Sequence, residues 1–385
     1  MIMSTFEQQR FLQKPFTLVF MLLLMFTLNT NSHAKTNYAE INIDKLANGL
    51  SSPWAMAFLP NNDILITERA GKIRIVRNGE LLDQTINDVP EVLEAGQGGL
   101  MDIKLDRDFI NNQTIYLSYA HGKLSANATR LISAKLVNNS LQNIKVLFTS
   151  DQRATSHHYG ARIAQLKDNS LLMAVGDGYN YREHSQRLDS TLGKIIRVDQ
   201  NGQAPADNPF INTDGARAEI YSTGHRNQQG LLVVDLGDSG ELIIENEHGP
   251  KGGDEINVIQ AGKNYGWPVI TYGIDYNGAR ISPYTEYEGM QQPNVDWTPS
   301  IAPSSMALYT GDLFKQWHGN LFVTSLTERS IRRISVSGEQ VTDHGIVFDE
   351  LKRQRYRDIK TGPDGALYVL TDGTPAHVLR ITPKP

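Results

Sequence analysis

The sequence predicts an all-β chain folded as a six-bladed β-propeller of four-stranded antiparallel blades. Three observations carry this. Helical periodicity is scarce, whereas short apolar runs recur along the whole chain. Six times, one such run leads to a second, mostly across a turn built from Asn, Asp or Gly. The six units are spaced by about 45 to 80 residues, the period of repeated four-stranded blades. A β-sandwich or two unrelated β domains is the competing architecture.

The chain opens with a targeting segment rather than a blade. Arg10 and Lys14 precede an apolar run, Phe16 to Leu28, and Ser32-His33-Ala34 fits a small-x-small cleavage site. The run is shorter than the roughly 20 residues that cross a bilayer, so residues 1–34 are read as a cleaved signal peptide and an uncleaved anchor as the alternative. No other apolar run is long enough to span a membrane. Residues 35–385 are then expected to form a single propeller domain, delivered to a bacterial periplasm. The chain has no cysteine, which excludes disulfides and thiolate chemistry and fits that compartment better than a eukaryotic secreted domain. Removing residues 1–34 takes away Glu7, Arg10 and Lys14, one acid and two bases, so the net charge moves from −5 to −6. That balance argues against a nucleic-acid partner.

The first unit has Trp54 to Leu59, the turn Asn61-Asn-Asp63, then Ile64 to Thr67. The second has Met101 to Leu105, Asp106-Arg-Asp108, then Ile115 to Ser118. The third runs from Arg162 to Leu166 and resumes at Leu171 to Val175 after Lys167-Asp-Asn169. The fourth has Gly230 to Val234 and Leu242 to Glu245 around Gly237-Asp-Ser-Gly240. The fifth pairs Met306 to Tyr309 with Leu321 to Thr324, and the sixth pairs Arg357 to Thr361 with Leu367 to Leu370 around Gly362-Pro-Asp-Gly365. Third strands follow in most units, at Ile73 to Val76, Gly193 to Val198, Ile331 to Val336 and Val378 to Ile381.

A propeller gathers its functional loops at one mouth of the central channel. Two segments, Gly224-His-Arg-Asn-Gln-Gln-Gly-Leu231 and Glu247-His-Gly-Pro-Lys-Gly-Gly-Asp-Glu-Ile-Asn257, are too polar to read as strands and are expected to be loops there. Arg226 and Asn227 set a planar cation beside an amide, which suits an anionic or carbonyl-bearing cofactor. Gly249-Pro250 offers backbone carbonyls near carboxylates, a donor set suited to Ca²⁺, and Asp254-Glu255 either supply those carboxylates or brace Arg226. His157 and His158 precede the inner strand of the third unit. A histidine there can act as general base, although a lone histidine is more often a surface or satisfied core residue. Asp177, after the next strand, can fix its tautomer and stabilise the imidazolium. Arg355 and Arg357 lie two apart at the start of the sixth unit, so both guanidinium groups can face one pocket. Gln97, in Gly96-Gln-Gly-Gly99, can offer its amide to a sugar hydroxyl.

These residues carry a resemblance. Gly224-His-Arg-Asn227, His248-Gly-Pro250, Gly253-Asp-Glu-Ile-Asn257, Asn264-Tyr-Gly-Trp-Pro268, Ile301-Ala-Pro-Ser304 and Arg355-Tyr-Arg-Asp358, in this order, make the chain resemble the soluble quinoprotein glucose/sorbosone dehydrogenase family, in its periplasmic aldose sugar dehydrogenase branch. The likeness runs from Gly49 to Arg380. It implies pyrroloquinoline quinone (PQQ) and Ca²⁺ at the channel mouth, and oxidation of an aldose at C1 to the lactone by hydride transfer to the quinone. By that likeness His158 is the base, Asp177 its partner, and Arg226 stabilises charge on the quinone oxygen. Asn227, His248, Asp254, Ser300, Arg355 and Arg357 would hold the cofactor, with Arg226. Gln97 and His157 would contact the sugar, the carbonyls of Gly249 and Pro250 would ligate Ca²⁺, and Asp275 would belong to a second, structural Ca²⁺ site. An electron acceptor, not identified by the residues, is implied as a partner, as is a monomer or homodimer. Thr327 stands where glucose-specific relatives place a cofactor-binding lysine, with Arg329 and Lys352 as candidates to replace it. His248 stands where those relatives have glutamine and favours broad sugar specificity. The alternatives weighed are a calcium-dependent sugar-lactone hydrolase and a non-catalytic carbohydrate- or protein-binding propeller.

Overall fold

The structure, a computed structural model, describes residues 40–351 and 353–384. The segment read as a signal peptide, and Lys352, lie outside the described residues. Among the described residues the first element is β1 (Ile41–Leu50), followed by five sheets of four sequential strands. These are β2 (Pro53–Phe58), β3 (Ile64–Glu68), β4 (Lys72–Arg77) and β5 (Glu80–Thr85), then β6 (Leu100–Leu105), β7 (Thr114–Lys123), β8 (Ala126–Val137) and β9 (Ser140–Thr149). The third sheet holds β10 (Gly160–Gln165), β11 (Leu171–Val175), β12 (Lys194–Val198) and β13 (Ile220–Thr223), and the fourth β14 (Gln228–Asp235), β15 (Glu241–Glu247), β16 (Asp254–Ile259) and β17 (Val295–Trp297). The fifth has β18 (Pro303–Leu308), β19 (Leu321–Ser325), β20 (Ile331–Ser337) and β21 (Gln340–Val347). The sixth joins β22 (Tyr356–Thr361), β23 (Leu367–Thr371) and β24 (Ala376–Pro383) to β1, in the order β1-β24-β23-β22. Every pairing within these sheets is antiparallel. The first strand of the domain thus completes its last blade and ties the two ends of the ring together.

Each innermost strand packs on the innermost strands of both neighbouring sheets, so the six blades close into a ring. Blades stack face on face, which covers both sides of the second strands. That is why β3, β11, β19 and β23 read as unbroken buried runs instead of alternating ones. The hydrophobic core lies between blades. Trp54, Leu65 and Ile73 of the first meet Leu100, Ile115 and Leu117 of the second, and Ile244 and Ile256 of the fourth meet Met306 and Val323 of the fifth. Truncating one such residue, Leu117→Ala for example, costs about 2–5 kcal/mol by the usual cavity rule.

The two polar segments are only partly loops. Gln228 opens β14, Glu247 ends β15, and Asp254 opens β16, with Glu247 paired to both Gln228 and Glu255. Polar residues serve as strand residues here because they are buried against one another and against the loop backbone beside them.

One buried arginine joins all six blades on the channel axis. Arg162 of β10 donates Nε to the Gln229 carbonyl (2.6 Å) and Nη2 to the Ser304 carbonyl (2.9 Å). Its Nη1 lies 3.4 Å from Asp102 Oδ1 and 3.2 Å from Asp358 Oδ1, and its guanidinium sits 4.1 Å over the Trp54 ring. A desolvated cation needs this density of partners. Among the described residues no helix is long and apolar enough to cross a membrane.

Candidate active site

The loops that enter the innermost strands and the loops that leave the second strands meet at one mouth of the channel. Every blade except the second therefore brings residues from two places in its sequence to the lining. The first gives Trp54 and Arg69, the third His158 and Asp177, the fourth Asn227 and His248, and the sixth Arg357 and Asp372.

His158 is buried, and its Nδ1 is 2.7 Å from Asp177 Oδ1. Asp177 is fully buried and saturated: Oδ1 also accepts from Tyr179 N (2.7 Å), and Oδ2 from Trp267 Nε1 (2.8 Å). Burial alone would raise its pKa, but His158, Arg226 and the Tyr179 amide hold it below the usual carboxylate value. Asp177 is therefore an anion, His158 keeps its proton on Nδ1, and Nε2 is left as the basic nitrogen. Burial first, and then the Arg226 charge, push the His158 pKa below its ordinary value, so the imidazole is neutral at pH 7. Its backbone has φ 53°, a left-handed conformation that costs a non-glycine residue about 1–3 kcal/mol. Two bonds pin it there: His158 N donates to Gln97 Oε1 (2.8 Å), and its carbonyl accepts from Gly178 N (3.3 Å). Gln97 thus orients the histidine through its oxygen and keeps its amide NH₂ for a ligand. His157 is exposed and packs on Tyr179, their ring centroids 5.6 Å apart.

Two cavities open beside this pair. One, of about 370 Å³, is lined by Gln97, Asn227, His248, Thr327, Arg355 and Arg357, and also by Arg69, Trp54, Gln229 and Asp372. The other, of about 270 Å³, is bordered by His158, Asp177, Tyr179, Arg182, Arg226, Trp267, Asp275 and Tyr276. Arg357 bonds Asp372 Oδ1 through Nε and Nη2 (both 3.0 Å), and Arg355 bonds Asp372 Oδ2 through Nε (2.8 Å). The expected side-by-side arginines are thus held in register by a carboxylate that was not anticipated. Arg69 supplies a third cation to the same cavity. Arg329 does not line it, so the positive charge opposite Thr327 comes from another blade.

Arg226 is buried under Trp267, 5.2 Å from the ring centroid. Its Nη1 donates to the carbonyls of His248 (2.8 Å) and Gly249 (2.6 Å), while its Nε has no partner. The Arg226 and Asn227 amides both donate to Glu247 Oε2 (2.5 and 3.2 Å), so the carboxylate bracing this loop is Glu247 and not Asp254. Asp254 is taken up by the backbone, its oxygens accepting from Gly249 N (2.8 Å) and Ala302 N (2.7 Å), and burial raises its pKa to about 6. Ser300 accepts from Gly252 N (2.9 Å) and faces a separate cleft of about 280 Å³. Asp254 and Ser300, expected as cofactor contacts, shape the loop behind the cavity and do not line it. Gly249 must be glycine: a Cβ there would lie 2.1 Å from the Gly253 oxygen. His248 Nε2 donates to the Pro303 carbonyl (2.8 Å), and burial with the Arg226 charge lowers its pKa to about 3, so it is a neutral ligand.

The anionic, carbonyl-rich cofactor expected from the sequence fits this donor set. Three guanidinium groups line the larger cavity, and the unpartnered Arg226 Nε waits for an acceptor. Calcium at Gly249 and Pro250 does not fit the arrangement as it stands. The Gly249 oxygen already accepts from a guanidinium, the Pro250 oxygen from Ser300 Oγ at 3.4 Å, and Asp254 faces the amide side of the loop. Asp275 lies 3.8 Å from Arg182 and is not part of a carboxylate cluster. The one His/carboxylate cluster among the described residues is beneath Arg226, where His225 Nδ1 is 3.7 Å from Glu245 and 3.6 Å from Glu247. His225 and Glu247 lie in the two polar segments singled out in the sequence, but nothing there pointed to their meeting with Glu245.

The glucose/sorbosone dehydrogenase family profile matches residues 50–380. The chain is 40% identical over 354 residues to the aldose sugar dehydrogenase YliI of Escherichia coli K12, covering 90% of this chain and 94% of that one. It is 28% identical over 427 residues to quinoprotein glucose dehydrogenase B of Acinetobacter calcoaceticus, covering 90% and 88%. The apo soluble aldose sugar dehydrogenase of Escherichia coli superposes with a TM-score of 0.83 at 38% identity, over 89% of this chain and all of that one. The PQQ-bound aldose sugar dehydrogenase of Streptomyces coelicolor superposes with a TM-score of 0.68 at 25% identity, over 89% and 99%. With the propeller, the histidine–aspartate pair and the arginine-lined mouth in place, these matches show that the chain belongs to the glucose/sorbosone dehydrogenase family.

Proposed function

We propose that the protein is a PQQ-dependent aldose dehydrogenase that oxidises the C1 hydroxyl of sugars to the lactone, exported to the periplasm by residues 1–34. The observation that carries this is the buried His158–Asp177 pair lining one cavity of the mouth, joined through the His158 N–Gln97 bond to a second cavity lined by three arginines. When bound, PQQ supplies the two-electron acceptor for the C1 hydride. This chain's own residues do the rest. His158 Nε2 takes the hydroxyl proton as hydride leaves, and Asp177 stabilises the resulting imidazolium. Arg226 presents its free Nε to an anionic ligand oxygen. Arg355, Arg357 and Arg69 pair with cofactor carboxylates, and Asn227 and Gln97 offer amide groups. His157 and Gln97 orient the sugar.

Calcium at Gly249 and Pro250 belongs to this reading by family likeness alone, and it requires the Arg226 guanidinium to give up the Gly249 oxygen. The lactone-hydrolase alternative needs several carboxylate ligands at the channel centre. There Asp102 and Asp358 are engaged by Arg162 and by backbone amides. The test is to add PQQ, with and without Ca²⁺, to purified apoprotein, followed by glucose and an artificial acceptor dye. Dye reduction that depends on PQQ supports the reading. Its absence, or lactone opening without any acceptor, refutes it.

A further inference from the structure

The channel has a second mouth that the activity proposed above does not use. At the face away from His158, the far ends of the six innermost strands enclose a cavity of about 500 Å³. Its walls include Phe58, Leu105, Leu232 and Leu308, all half-buried. Arg162 lines this cavity, whereas its partners Trp54 and Gln229 line the cofactor cavity, so the arginine and its contacts form the floor between the two.

Two ammonium groups enter this lower vestibule from the blades on either side of the first, Lys104 of β6 and Lys360 of β22. The nearest carboxylates have their oxygens taken. Asp102 accepts from Ile103 N (3.0 Å), Ile163 N (2.8 Å) and Arg162, and Asp358 from Met56 N (2.8 Å), Ser305 Oγ (2.6 Å) and Arg162. Lys360 Nζ reaches Asp358 only at 3.7 Å, and Lys104 has no hydrogen-bond or ion-pair partner among the described residues. At the rim, Arg107 is 3.9 Å from Glu241, and Asp235 is paired with Lys167. Burial, and then the Lys360 charge, push the Lys104 pKa below its ordinary value. An anion between the two ammonium groups would relieve that repulsion and supply a hydrogen-bond acceptor, which neither has among the described residues. The lining is mixed, but the apolar side chains of Phe58, Leu232, Met306 and Leu308 beside such a head group favour a ligand with a hydrocarbon part over a small hydrated ion.

We propose that the lower vestibule binds an amphipathic carboxylate, its head between Lys104 and Lys360 and its apolar part against Phe58, Leu232 and Leu308. The site does not depend on the redox reading of the upper mouth, because Arg162 separates them.

The test is calorimetric titration of the whole protein with octanoate, and with 1-octanol as the neutral probe of equal length. One saturable octanoate site is expected, with octanol at least about tenfold weaker. Lys104→Gln and Lys360→Gln should each weaken octanoate about tenfold or more, the loss typical of one charge-assisted hydrogen bond. Lys104→Arg should retain most of the binding, and dye reduction with glucose should be unchanged in all three variants. A second arm needs no substitution: raising the salt concentration weakens octanoate and spares octanol. No saturable octanoate binding, equal octanol binding, or binding that ignores both the lysines and salt overturns the proposal.

Discussion

Asp177→Asn isolates the role of the dyad, because the change is nearly isosteric and every group around Asp177 is known. The carboxylate accepts from three donors, His158 Nδ1 and Tyr179 N at Oδ1 and Trp267 Nε1 at Oδ2. An asparagine has one acceptor oxygen and one NH₂ to fill these two positions. With its oxygen at the first position, its NH₂ confronts the Trp267 N–H, a buried donor clash costing about 1–3 kcal/mol. With its oxygen at the second, the NH₂ faces His158 Nδ1, which must then accept, and the ring proton moves to Nε2, the atom meant to take the substrate proton. Either way the anion that stabilises the imidazolium is gone. Loss of a general base costs about 10²–10⁴ in rate, or roughly 3–5 kcal/mol of barrier. The expected result is a kcat lower by that factor at saturating aldose, with PQQ affinity, read by quenching of tryptophan fluorescence, within about threefold of the parent. A PQQ-loaded variant with kcat within threefold of the parent would refute the assignment of His158 as a base held by Asp177.

Three further outcomes follow from the geometry. Arg357→Ala removes a largely buried cation from the cavity wall and leaves Asp372 half-paired, so under the proposed function PQQ binding should weaken about tenfold to a hundredfold, more than for Arg355→Ala, whose side chain is 45% exposed; an unchanged Kd removes the arginines from the proposed cofactor site. His225, despite burial, is raised to about 9 by Glu245 and Glu247, and burial raises Glu245 to about 7. The folded state binds more protons at both groups, so their stabilisation is complete at low pH and declines as pH rises through 7 and then 9. Scanning calorimetry from pH 6 to 9.5 should show the Tm of the parent falling relative to that of Glu245→Gln as pH rises, and a difference that instead grows in the parent's favour contradicts the raised pKa values of this cluster. For calcium, Arg226→Met frees the Gly249 oxygen, so an ion that competes with the guanidinium should bind this variant more tightly by calorimetry than it binds the parent; equal affinity removes the competition.

The innermost and second strands were legible in the sequence because both faces of the second strands are covered, leaving runs such as Leu171–Val175 with no polar break. The fourth strands were not. Gln340–Val347 alternates between exposed and half-buried along an outer edge and carries no apolar signal. The closure by β1 was also hidden, since its partner, Ala376–Pro383, is more than 300 residues away and the pairing leaves no local mark. Polar residues were misjudged in one respect: Gln228, Glu247 and Asp254 belong to strands, where backbone donors and neighbouring side chains satisfy them. Of the residues next to a recognisable motif, the structure brings His158, Asp177, Arg226, Asn227, Arg355 and Arg357 to the cavities at the mouth. Those whose neighbours are ordinary were missed. Asp372 follows a strand end as any turn aspartate does, Arg69 sits in an unremarkable turn, and Arg162 reads only as the first residue of a strand, although it meets every blade.

The central claim is that His158 takes a proton from a sugar hydroxyl as a quinone bound at this mouth is reduced. The direct measurement is an anaerobic absorbance titration of PQQ-loaded protein with an aldose, in the parent and in His158→Ala. The account predicts stoichiometric bleaching of the bound quinone in the parent, with one lactone formed per quinone. In His158→Ala it predicts retained quinone absorbance and a bleaching rate lower by about 10²–10⁴. Parent-like bleaching in the variant, or a parent that binds PQQ and never reduces it, contradicts the account.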